Sequence, residues 1–97
     1  MWYIGTMVPT KQKRAAPEVE RVQTGVRLEK RILKVLKALA ELKELSLGDL
    51  LEGIVLHAFE GKTPFNAETL RQIAELRRIY GLDLKAADSH RLRERAR

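Results

Sequence analysis

The chain has 97 residues, enough for one small domain whose own core would leave it only marginally stable. It contains no cysteine, which excludes a disulfide framework and a thiolate metal site, and no stretch approaches the roughly 18 apolar residues of a membrane span. Nineteen Lys and Arg against 13 Asp and Glu give a formal charge of +6. The excess is uneven: residues 21–45 carry seven basic and three acidic groups, residues 46–62 one and three, and residues 81–97 five and three. Such a distribution favours a polyanionic partner, with nucleic acid ahead of a membrane surface.

Residues 1–20 include Pro9, Pro17 and the basic cluster Lys11, Lys13, Arg14, with no helical period, and read as a flexible basic arm. The opening MWYIGTMVPTKQKR places a short apolar run before the charges, the reverse of a secretory signal. Trp2, Tyr3 and Ile4 form an aromatic run suited to a strand or to docking on a neighbour.

From Arg21 to Glu29 the pattern has period two. Val22, Thr24, Val26 and Leu28 alternate with Arg21, Gln23, Gly25 and Arg27, which predicts a half-buried strand with an apolar and a polar face. At about Lys30 the period becomes helical. Leu33, Leu36 and Ala40 make one stripe, Ile32, Val35, Leu39 and Leu42 widen it, and the helix is expected to end near Glu44. Ser46, with Asp49 three residues on, is a variant capping box that opens a second helix. Its apolar positions Leu47, Leu50, Leu51, Ile54, Val55, Ala58 and Phe59 make it the most hydrophobic helix, and Gly61 closes it.

A third helix is predicted from the N-cap Asn66, with Phe65 and Leu70 placed for a hydrophobic staple, to a stop at Gly81. Beyond it a mostly polar tail has too few apolar groups to hold a fourth helix firmly from about Leu84.

The order strand, helix, capped turn, apolar helix over residues 21–61 resembles the ribbon-helix-helix family of bacterial and archaeal repressors and antitoxins. The stretch VRLEKRILKVLKALAE looks like that family's strand end and first helix, and LSLGDLLEGIVLHAF like its turn and second helix. The resemblance implies a mainly α fold with one N-terminal strand paired across a homodimer, plus additional C-terminal helix or helices. It divides the chain into an arm (1–20), a dimerisation and DNA-binding domain (21–61) and a C-terminal helical extension (62–97). In the family the two-stranded ribbon enters the major groove, which would put Gln23, Gly25 and Arg27 against bases. Arg reads guanine and Gln reads adenine in a bidentate manner, whereas Gly25 reads no base and departs from the family's usual polar residue there.

Phosphate contacts are expected from Arg21 at the ribbon end and from Lys30 and Arg31. The family's anchor at the start of its second helix falls on Ser46, Leu47 and Gly48. Lys34 and Lys37 are read as solvated. Lys11, Lys13 and Arg14 in the arm would add electrostatic contacts.

The implied function is a sequence-specific, repressor-like regulator in the cytoplasm on the nucleoid. Its partners would be double-stranded DNA and a second copy, with no membrane, cofactor or metal. The alternative is an antitoxin or other protein-binding module that holds a partner protein through residues 62–97, with Leu82, Leu84 and Leu92 as contacts, although the regular third helix reads first as packed on the dimer. Catalysis is not expected: His57 and His90 lie 33 positions apart with no metal-ligand spacing, and Ser46 and Ser89 lack a nucleophile context.

Overall fold

The computed structural model describes residues 16–95. They form three α-helices and a short 3-10 turn: α1 spans Lys30–Leu42, α2 Leu47–Phe59, α3 Ala67–Tyr80, and the turn Ala86–Asp88. α1 lies between the other two helices and packs on both.

This corrects the expected fold. No strand occurs among the described residues, so the protein is all-α there and not a ribbon-helix-helix with a strand paired across a homodimer. Residues 16–29 have no regular secondary structure, and Val22 and Val26, assigned to a core face, are 79% and 73% exposed. Alternation says which faces a strand would have but does not supply a ladder. With no second segment to bond, the backbone groups of a lone stretch are better served by water. The core that its apolar face was to cover is closed by Phe65 and by Ile73 and Leu76 of α3.

That core is small. Leu39 is 1% exposed and sits with Ala40 and Leu50, against which Leu36, Ile54, Phe65, Ile73 and Leu76 pack. Val35 and Leu82 are also buried. The α1 contributors Val35, Leu36, Leu39 and Ala40 follow helical spacing, so one stripe of α1 faces the core that it shares with α2 and α3. Phe65 turns into this core while Leu70 stays 53% exposed, so the aromatic ring serves packing between helices.

The helix ends explain the bounds. Glu29 caps α1, its Oε1 accepting from the N–H groups of Arg31 at 2.9 Å and Ile32 at 3.0 Å. Ser46 Oγ accepts from Asp49 N–H at 3.0 Å, and Asn66 Oδ1 from Thr69 N–H at 2.8 Å. Each C-terminus closes with the same pair of bonds. Leu45 N–H reaches Ala40 O and Glu44 N–H reaches Glu41 O; Lys62 and Gly61 do the same to His57 and Ala58, as do Leu82 and Gly81 to Arg77 and Arg78. The closure requires a left-handed residue, and Gly61 and Gly81 supply it at φ 70° and 66°. After α1 that position is Glu44 at φ 57°, which ends the helix two residues before the expected limit.

Candidate nucleic-acid interface

The expected DNA contacts fall on the segment before α1, the start of α1 and the start of α2, and the fold treats them unequally. Arg21 turns to the start of α2. Its Nε and Nη2 donate to the two carboxylate oxygens of Glu52 at 2.9 and 2.8 Å, and Nη2 lies 3.7 Å from Asp49 Oδ1. The side-chain hydrogen bond from Arg21 holds the Glu52 carboxyl below the usual carboxylate range. The expected phosphate anchor at Ser46, Leu47 and Gly48 is therefore flanked by Asp49 and Glu52 with Arg21 between them. Ser46 already spends its hydroxyl on the cap, Leu47 is half-buried and Gly48 is exposed. Two carboxylates against one guanidinium do not favour an anion at this helix start.

Gln23 is exposed, and a side chain added at Gly25 would meet only open space, so nothing within the chain demands glycine there. Arg27 is exposed and ion-paired with Glu94 near the C-terminus. Arg31 is tied along the surface to the C-terminal segment. Its Nε donates to Glu29 Oε2 at 2.9 Å, and its Nη1 donates to Gly81 O at 2.9 Å and Asp83 Oδ1 at 3.2 Å. Burial, the largest influence on Glu29, raises its pKa. The bonds it accepts from the Ile32 N–H and from Arg31 outweigh that and hold the carboxyl below its ordinary value. Arg31 thus ties the start of α1 to the end of α3. Lys11, Lys13 and Arg14 lie outside the described residues.

Lys30 is exposed, and Lys34 and Lys37 are exposed with it. Their spacing of four and three puts all three on one face of α1. Lys34 Nζ sits 5.9 Å from the Tyr80 ring centroid, a contact that steadies the ammonium while leaving it wet. This row of lysines is the continuous cationic feature that the fold builds from residues the sequence left dispersed.

A second feature is apolar. Leu50 is the buried residue of α2; Val55, Leu56 and Phe59 are 42%, 63% and 80% exposed, and Leu42 and Leu45 nearby are 54% and 43% exposed. An open cleft of about 320 Å³ between α1, α2 and the Pro64–Phe65 linker adds Leu39, Leu50, Ile54 and Phe65 to its walls. His57 lines this cleft, and its Nδ1 lies 2.7 Å from Gly53 O, so that nitrogen carries the proton, since a carbonyl only accepts. The expected partner-binding leucines of the extension are split: Leu82 is buried, Leu84 half-buried and Leu92 49% exposed.

Sequence reading missed the tether that organises the C-terminal segment. Besides Arg31, Arg77 Nη2 donates to Leu84 O at 2.8 Å, and Lys85 N–H donates to Asp88 Oδ2 at 2.8 Å to fix the 3-10 turn. One signal was present, because an apolar residue directly after a helix-stopping glycine commonly packs back on the last turn, as Leu82 does. Nothing local pointed to Arg31, whose partners lie 50 and 52 positions away. Among the described residues no helix is long and apolar enough to cross a membrane. No family model, curated protein or solved structure matches the chain, so its chemistry is read from these residues alone.

Proposed function

We propose that the chain is a sequence-specific, repressor-like DNA-binding regulator acting as a homodimer. In this reading it grips duplex DNA through the exposed Lys30, Lys34, Lys37 face of α1, with no inserted ribbon, and Arg27 reaches a base by exchanging its Glu94 partner for it. The observation that carries the reading is that lysine row: three exposed ammonium groups on one face, continuous with an exposed N-terminal segment that offers Gln23 and Arg27 as donors. Phosphates spaced along a duplex reward such a row through release of condensed counterions.

The homodimer is supported by α2. A helix of this hydrophobicity that leaves Val55, Leu56 and Phe59 in water is incomplete as a surface, and a second copy offers the same apolar face for cover. Residues 1–15 would add electrostatic contacts through Lys11, Lys13 and Arg14. The place of action is the nucleoid.

Selection of binding sites from random duplexes with the purified chain tests the proposal. Enrichment of a two-fold symmetric sequence is expected, and Arg27→Ala should then lose about 1 to 3 kcal/mol on that sequence, the worth of one bidentate base contact. Failure to retain any duplex at low salt refutes the function. Equal weakening of Arg27→Ala on selected and random duplexes would move Arg27 from the bases to the phosphates.

A further inference from the structure

The C-terminal segment is held to the same end of the molecule as the N-terminal one. Arg31 fixes Gly81 and Asp83 at the start of α1, Leu82 is buried, Arg77 holds the Leu84 carbonyl, and Glu94 meets Arg27. The chain from Gly81 to Arg95 therefore returns past the first turn of α1 to the segment that precedes it.

Four acidic groups at this end have a partner inside the chain, whereas Glu18 and Glu20 earlier in the N-terminal segment pair with no cation among the described residues. Glu29 is taken by Arg31 and two backbone N–H groups, Asp83 by Arg31, Asp88 by the Lys85 backbone N–H, and Glu94 by Arg27. Lys30, Lys85, Arg91, Arg93 and Arg95 are exposed, and their side chains pair with no carboxylate among the described residues. Set against these cations are the charges left on Asp88, on Glu29 and Asp83 sharing one Arg31, and on Glu18 and Glu20, so this end keeps a small positive excess that comes from the C-terminal arginines.

We infer that Arg91, Arg93 and Arg95 form a phosphate-contacting strip that adds to the Lys30 surface, so that both ends of the chain grip one stretch of duplex DNA. The inference rests on the DNA-binding reading and deepens it by assigning the arginine-rich tail to the interface. Arginine suits the task, because its planar donor fork matches phosphate oxygens and its charge does not titrate near neutrality. Glu94, placed between Arg93 and Arg95 in the sequence, serves to dock the strip on Arg27.

The test is fluorescence anisotropy of a random-sequence duplex titrated with the full chain over a range of potassium chloride concentrations. Replacing Arg91, Arg93 and Arg95 together by Gln should flatten the plot of log affinity against log salt by about 2 to 3 units, and weaken binding on the order of 100-fold near 0.1 M salt. Glu94→Gln keeps all three cations and should not flatten the slope. An unchanged slope in the triple variant overturns the inference while the parent's own salt-dependent binding leaves the DNA-binding reading intact. A parent chain that binds no duplex at low salt overturns both. If the triple variant loses its helical circular dichroism, each single substitution carries the same test at about 0.9 units. Amide shift mapping with the parent is the second measurement. Duplex-induced shifts at residues 27–30 and 91–95 together support the strip, whereas shifts confined to 27–37 overturn it.

Discussion

Replacing Phe59 by Ala separates a self-contained monomer from a chain that needs a second copy. Phe59 stands at the last position of α2 and is 80% exposed, so within one chain the ring buries little and its loss costs little. Alanine is the better helix former, so the fold of the single chain should if anything gain slightly. In a two-fold dimer that covers the α2 face, the ring would be buried on both subunits. Full burial of such a side chain contributes about 1.5 to 3 kcal/mol, and most of that is still to be gained here. Two copies give about 3 to 5 kcal/mol, or roughly a 100- to 3,000-fold rise in the dimer dissociation constant. Sedimentation equilibrium over a wide concentration range reads this directly, with thermal circular dichroism on the monomeric fraction as the control. Equal dissociation constants for parent and variant would refute the placement of Phe59 in the interface. A parent that stays monomeric at every concentration would refute the dimer itself.

Two further expectations concern α1. Glu44→Gly should stabilise the chain by up to about 1 kcal/mol in urea unfolding, because a side chain in the left-handed region costs about 1 to 2 kcal/mol and the greater freedom of unfolded glycine returns part of it. Glu29 is held below its ordinary value of 4.5, so its carboxylate contributes stability that is present above that pH and is lost as the pH falls through the folded value. Glu29→Gln should therefore lower stability near neutrality and flatten its fall below pH 4.5, which parallel urea titrations would show.

Signals set by nearest neighbours were the ones legible in the sequence. Ser46 and Asn66 cap their helices because a short polar side chain reaches a backbone N–H three residues on, a relation wholly contained in a four-residue window. Gly61 and Gly81 stop theirs for an equally local reason. Residues 21–29 show the converse. Their alternation is real, yet a strand exists only through its partner, and what would fill that role lies outside any window on the sequence. The first helix was expected to run to about Glu44 because its apolar stripe continues through Leu42, whereas the closing bonds need a left-handed residue, and Glu44 takes that place. The interface residues divide the same way. Lys30 was named for its charge and its place at a helix start, but the grouping of Lys34 and Lys37 with it matters only once the buried stripe of α1 fixes which face is outside. Arg31, named for the same reason as Lys30, is tied along the surface to groups that the sequence holds 50 positions away.

That tie between Arg31 and the Gly81–Asp83 stretch closes a very long loop of chain, and such closures come late because their entropic cost precedes any return. During synthesis α1 and α2 can meet as soon as both have emerged, whereas the Arg31 guanidinium must wait for the last fifth of the chain. A bond made after the rate-limiting step contributes to how slowly a protein comes apart rather than to how fast it forms. If the Arg31 bonds form after that step, Arg31 is a latch on lifetime, and Arg31→Ala should speed unfolding while leaving the folding rate unchanged.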